Sequence, residues 1–175
     1  HSGKAVHGLA CFAKDQSQGK GRRGKVWETQ KGENIILTVI VQAAFLPVYR
    51  QFYLSAATAL SCLEFFNKYI LDETKIKWPN DIFINDRKAG GILIENIIQG
   101  QLWQWCIIGI GININQNKFQ ENIERATSLK QTTGKFYDPV NLAKELHIIV
   151  LYKIEEQQQG TSKKILTENN TRCFA

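Results

Sequence analysis

The chain has 175 residues, 43% of them hydrophobic and 22% charged, which is enough for one domain with a buried core and too little for a second large one. No stretch approaches the roughly 20 apolar residues of a membrane span, and no charged-then-apolar leader opens the chain, so a cytoplasmic protein is expected. The formal net charge is +6, and it is concentrated: between Lys14 and Lys31 stand Lys14, Lys20, Arg22, Arg23, Lys25 and Lys31 against Asp15 and Glu28, which asks for an anionic partner.

Val6–Ala13 reads as a strand. Lys14–Lys31 is polar, basic and glycine-bearing, and reads as a long loop of the kind that is functional or disordered. Asn34–Val41 is rich in β-branched residues and predicts a buried strand. After Pro47, the spacing of Phe52, Leu54, Ala56, Ala59, Leu60, Leu63 and Phe66 predicts a helix over Tyr49–Tyr69, which Asp72–Thr74 ends. Ile76–Trp78 and Ile82–Ile84 flank a Pro-Asn-Asp corner. Asn85-Asp86 turns into a strand over Ile92–Ile98, and Gln99-Gly100 turns into another over Leu102–Asn115, giving consecutive antiparallel hairpins. In the last of these, Trp103, Trp105 and Ile107 alternate with Ile108, Ile110 and Ile112 on opposite faces. Asp138-Pro139 starts a helix running to about Glu156, with Val140, Leu142, Ala143, Leu146 and Ile149 on one face. Residues 161–175 read as the start of a further segment. The order of elements predicts an α+β domain, a mixed and largely antiparallel sheet backed by helices. Cys11, Cys62, Cys106 and Cys173 are far apart and form no CxxC pair, so ordinary reduced thiols are expected.

Three segments carry chemistry. Gly19-Lys-Gly-Arg-Arg-Gly-Lys25 satisfies GxGxxG literally and GxxxxGK nearly, but Val26 stands where a P-loop needs Ser or Thr, and no helix begins at the glycines. What remains is a backbone that a ligand can approach closely and two permanently charged guanidinium forks. A solvated basic loop and a nucleic-acid-binding loop fit the same residues. Lys77-Trp-Pro-Asn-Asp81 is followed by a turn and by Lys88-Ala-Gly-Gly91, which sets a lysine beside paired glycines; a plain hairpin explains the turn but not this composition. Ile108-Gly-Ile-Gly-Ile-Asn-Ile-Asn115 is a strand weakened by two glycines, a mark of close approach by a ligand or another backbone, although a bulge at a sheet corner fits as well. Asn113, both donor and acceptor, is able to read a nucleobase edge.

In this order the segments resemble the biotin–protein ligase family, whose pattern is a Gln followed by GRGRxGRxW, then KWPND, then K-x-x-GGI-L-x-E, then GIGIN. This sequence reads Gln16 with GKGRRGKVW, then KWPND, KAGGILIE and GIGININ, over about residues 6–115. The resemblance implies a class II synthetase-like catalytic domain over residues 1–160 with a truncated tail over 161–175. It implies adenylation of biotin by MgATP and transfer to a lysine of a biotin carboxyl carrier domain of a biotin-dependent carboxylase. It also implies pairing into a homodimer, no membrane partner and no DNA-binding domain in this chain. It assigns Gln16, Gly19, Lys20, Gly21, Arg22, Lys88 and Gly91 to biotin. Arg22, Arg23, Trp27, Asn80, Asp81, Lys88 and Asn113 fall to ATP, with Lys88 and Arg22 catalytic and Asp81 on magnesium. Lys20 and Lys25 stand where the pattern has arginines, which keeps the charge but not the forked hydrogen bonding. The family's Ser-Thr-Asn segment does not precede Val6, and the small C-terminal barrel of many members does not follow, so reduced activity of this chain is expected. A nucleic-acid-binding module built on residues 14–31, or a lipoate–protein ligase, are the alternatives; the latter's Arg-Arg…Gly-Gly-Gly…His pattern is missing.

Overall fold

A computed structural model describes residues 5–44, 51–71, 73–100, 102–119, 125–158 and 173–174. Seven strands form one sheet: β1 (Ala10–Phe12), β2 (Asn34–Gln42), β3 (Thr74–Lys77), β4 (Asp81–Ile84), β5 (Arg87–Gln99), β6 (Leu102–Asn113) and β7 (Cys173–Phe174). Their order is β1-β2-β6-β5-β4-β3-β7, with β7 parallel to β3 and every other pair antiparallel. Among the described residues three α-helices accompany them: α1 (Gln51–Asn67), α2 (Leu129–Thr133) and α3 (Pro139–Gln158). The expected α+β fold with a mixed, largely antiparallel sheet is the fold observed. No helix among the described residues is long and apolar enough to cross a membrane.

Strand alternation decides which face is the core. In β2, Ile35, Leu37, Val39 and Val41 are buried, as are Ile108, Ile110 and Ile112 in β6, and α1 and α3 cover this face. Trp103 is buried with them, contrary to the simple alternation that sets it opposite Ile108. The pairing shifts register at Ile97/Ile98, where Ile97 faces Trp105 and Ile98 faces Trp103, so Gln104 is an extra residue that inverts the phase. Helix α1 is buried around most of its circumference, and its buried hydroxyls stay satisfied: Thr58 and Ser61 donate to the carbonyls of Leu54 and Ala57, at 2.8 Å each. Phe52, expected on the apolar face of α1, is half-exposed and stacks on Trp78 at 4.9 Å. The expected start of this helix at Tyr49 lies outside the described residues.

Several boundaries move. Only Ala10–Phe12 of the expected Val6–Ala13 strand is ladder, because residues 7 and 8 turn, with Gly8 at φ 80°. β5 begins at Arg87, five residues before the apolar run. Helix α3 starts as expected, with the Asp138 carboxylate accepting from Val140 N at 2.9 Å. Helix α2 and strand β7 have no counterpart in the sequence expectations. Most of residues 161–175 lies outside the described residues.

Candidate active site

The basic segment 14–31 is more ordered than a loop. Its base is closed by Gly32 N donating to the Lys14 carbonyl at 2.7 Å. Within it, Lys20 bridges Val26 antiparallel, Trp27 N donates to Gly19 O at 2.9 Å, and Gly21 N to Lys25 O at 2.7 Å, so Gly19–Trp27 is a tight hairpin. A 3-10 turn over Arg22–Gly24 forms its apex. There Arg23 takes a left-handed conformation at φ 55°, which costs a non-glycine residue roughly 1–2 kcal/mol, while Gly24 takes φ 75° without that cost. A Cβ on Gly19 would lie 2.0 Å from the Trp27 carbonyl oxygen and 3.0 Å from Gln16 Oε1, so glycine is required for the hairpin to close.

The hairpin crosses the face of the sheet opposite the helices. Gly91 of β5 pairs with Gly111 of β6, and the indole of Trp27 lies over both. A Cβ on Gly111 would sit 2.6 Å from Trp27 Cε2, and one on Gly91 3.3 Å from Trp27 Cζ3. The close approach that these strand glycines predict is therefore made by a side chain of the chain itself. Trp27 Nε1 and Thr29 Oγ1, two residues apart, are buried without a hydrogen-bond partner.

At the edge of this platform four polar residues meet. Lys88 Nζ is 2.8 Å from Asp81 Oδ1 and 5.6 Å from the centre of the Trp27 ring. Asn80 Nδ2 donates to Asp81 Oδ1 at 3.0 Å, and Arg22 Nη1 donates to Asn80 Oδ1 at 3.1 Å. The Trp78–Pro79 peptide is cis and turns the chain so that Asn80 and Asp81 follow at the start of β4. Beyond Asn80 opens a groove of about 220 Å³, lined by Arg22, Gln51, Ser55, Pro79 and Asn96 among others.

Lys88 is held from its other side by residues that no sequence motif marked. Its N–H donates to Arg125 O at 2.6 Å, its carbonyl accepts from Thr127 N at 2.9 Å, and Arg87 Nη2 donates to Ala126 O at 2.6 Å. Asn113 is buried and its amide donates to the Thr127 carbonyl at 3.0 Å, so Asn113 is part of this brace. Gln116 joins the end of the basic segment to the sheet: its Oε1 accepts from Gln30 N at 3.2 Å and from Asn34 Nδ2. Neither Thr127 nor Gln116 stands in a local pattern that would have singled it out.

Of the residues expected at the site, Gly19, Gly21, Arg22, Trp27, Asn80, Asp81, Lys88 and Gly91 come together in this way. Lys20 lies in the hairpin ladder and Arg23 at its exposed apex. Gln16 is exposed and precedes the hairpin, with its Oε1 close to Gly19. Asp81 is the one carboxylate in the cluster, and no group of three or more His, Cys, Asp or Glu that could hold a metal occurs among the described residues. A magnesium ion that travels with phosphates needs only one or two protein carboxylates, so the single carboxylate of Asp81 is chemically compatible with one. Burial pushes the Cys62 and Cys106 thiols up to about 12, so neither supplies a thiolate nucleophile.

The model of the biotin/lipoate A/B protein ligase family matches residues 2–113. The bifunctional ligase/repressor BirA of Bacillus subtilis is 33% identical over 152 residues, covering 85% of this chain and 46% of that protein. The biotin–[acetyl-CoA-carboxylase] ligase of Mycobacterium tuberculosis is 34% identical over 118 residues, covering 66% of this chain and 42% of that protein. The chain thus spans about half the length of the curated relatives it matches. Among solved structures, the biotin protein ligase of Aquifex aeolicus in complex with biotin and ATP superposes with a TM-score of 0.86 at 25% identity, over 99% of this chain and 72% of that one.

Proposed function

Because this chain belongs to the biotin/lipoate A/B protein ligase family, we propose that it adenylates biotin with MgATP and passes the biotin to a lysine of a biotin carboxyl carrier domain. Residues 1–160 act as the catalytic domain. The observation that carries this reading is the convergence of Lys88 and Arg22 on the Asn80–Asp81 pair, beside an aromatic platform, in a fold shared with a ligase solved with biotin and ATP.

Both reactants are anions. Unit charges 4 Å apart repel by about 4 kcal/mol at an effective dielectric of 20. Lys88 and Arg22 offset that repulsion while a biotin carboxylate oxygen bonds to the α-phosphorus and the bond to pyrophosphate breaks. No side-chain nucleophile is needed. In the second half, the acceptor amine attacks the acyl carbon of biotinyl-AMP, AMP leaves with the bonding pair, and the amine gives up its proton. Gln16, Gly19, Lys20, Gly21 and Gly91 form the biotin side of the site. Arg22, Arg23, Trp27, Asn80, Asp81 and Asn113 form the nucleotide side, where Asp81 would be the residue to hold a magnesium ion brought with the phosphates.

Reduced thiols at Cys11, Cys62 and Cys106 agree with a cytoplasmic setting. Homodimer formation is supported by the far half of β5. The pairing with β4 ends at Asp81–Gly91, and beyond it stand the half-exposed Ile97 and Ile98 and, on β6, the exposed Leu102.

The test is incubation of the chain with biotin, MgATP and a biotin carboxyl carrier domain, read by the mass of the carrier. One biotinyl group on one carrier lysine is expected, and Lys88→Ala slows its appearance by about a hundredfold or more, the usual effect of removing one charge-stabilising donor. A carrier that stays unmodified while lipoate is transferred to a lipoyl domain would overturn the substrate assignment.

A further inference from the structure

We propose that Asn80 is a positioning residue that sets Arg22 and Lys88 at a fixed separation, so that both cations meet one anion. This rests on the ligase reading for its purpose, but its geometry stands independently. Arg22 sits at the apex of the Gly19–Trp27 hairpin, whose backbone bonds are internal to the hairpin. Among the described residues, the hydrogen bond from Arg22 to Asn80 Oδ1 ties that apex to the sheet. The other end of the same amide donates to Asp81 Oδ1, the oxygen that also takes the Lys88 ammonium. The order is guanidinium, amide, carboxylate, ammonium.

The amide works in one orientation only. Reversed, its NH2 would face the Arg22 guanidinium, donor against donor, and its carbonyl would face the Asp81 carboxylate, acceptor against acceptor. Aspartate at 80 keeps the bond to Arg22 but sets a second carboxylate against Asp81. Leucine or alanine removes both bonds. Asparagine satisfies both neighbours with one side chain. It fixes the distance between the two cations that bridge a carboxylate and an α-phosphate.

A double-mutant cycle on the whole chain tests this with two readouts. The first is trypsin cleavage after Arg23, which reports how firmly the apex is held and needs no activity. Asn80→Ala should speed it by about tenfold to a hundredfold, as expected for hydrogen bonds to charged groups. In an Arg22→Ala background, which releases the apex already, Asn80→Ala should change it by less than about twofold. The second readout is kcat/KM for biotin-dependent ATP–pyrophosphate exchange, which should show the same non-additivity. Thermal midpoints identify variants that fold; if Asn80→Ala does not fold, Asn80→Ser, too short to span both partners, replaces it in the cycle. Additive effects, or cleavage at the wild-type rate in Asn80→Ala, would overturn the proposal. Absence of exchange in the wild-type chain, with the cleavage cycle as expected, would count against the ligase reading and leave the positioning role standing.

Discussion

Gly111 and Gly91 face each other across β6 and β5, and the Trp27 indole rests where their side chains would be. The contact is closest at Gly111, so Gly111→Ala forces the ring to move or the strands to part. Overpacking of this kind costs about 1–3 kcal/mol. The expected outcome is a lower thermal midpoint together with a changed Trp27 fluorescence environment, whereas Gly109→Ala, whose Cβ would meet nothing closer than 3.5 Å, leaves both near wild type. At this scale the sequence was informative about where and silent about what. Two glycines in a strand of isoleucines mark a close approach on chemical grounds alone. That the approaching group is Trp27 depends on the path of a hairpin whose geometry no local pattern encodes. Asn113 shows the same division: its amide chemistry was legible, but its bond to the Thr127 carbonyl joins residues fourteen apart across a segment that carries no motif.

Between elements, helix α3 is joined to the turn that follows α1 by more than apolar contact. Lys68 Nζ is 2.8 Å from Glu145, and the Tyr69 hydroxyl donates to the same carboxylate at 2.6 Å. Burial by itself would raise the Glu145 pKa, but the hydrogen bonds from Lys68 and Tyr69, with the nearby charge of Lys68, outweigh it and hold the group below its ordinary 4.5. A depressed carboxylate contributes stability that is present above its unfolded value and lost as pH falls through its folded value. Glu145→Gln is therefore expected to lower the unfolding midpoint near neutral pH and to converge with wild type in acid below the ordinary value. Curves that stay parallel at every pH would remove this pair from the acid response. Helix α3 itself was well marked, by the Asp138-Pro139 start and a clear apolar face. Helix α2 was not, because five residues offer too little periodicity; what defines it is the Ser128 cap accepting from Gln131 N and Gly134 ending it in the left-handed conformation.

Across the molecule, the division of labour follows from the two faces of one sheet. The helices bury one face, and the basic hairpin crosses the other, so the Trp27 ring lies over strands β5 and β6 and Arg22 is tied to Asn80, while the cations of residues 14–31 stay exposed. The fold class was legible because the apolar strands, the turns and two helices alternate in a recognisable order. The short parallel strand β7 was not, since its two residues pair with β3 across nearly a hundred positions of sequence. The activity proposed for this surface is the making of an acyl-adenylate from biotin. Biotin-dependent exchange of labelled pyrophosphate into ATP measures that step alone, without an acceptor. Exchange that requires both biotin and magnesium and is unaffected by lipoate is expected; exchange driven by lipoate and not by biotin would contradict the proposal.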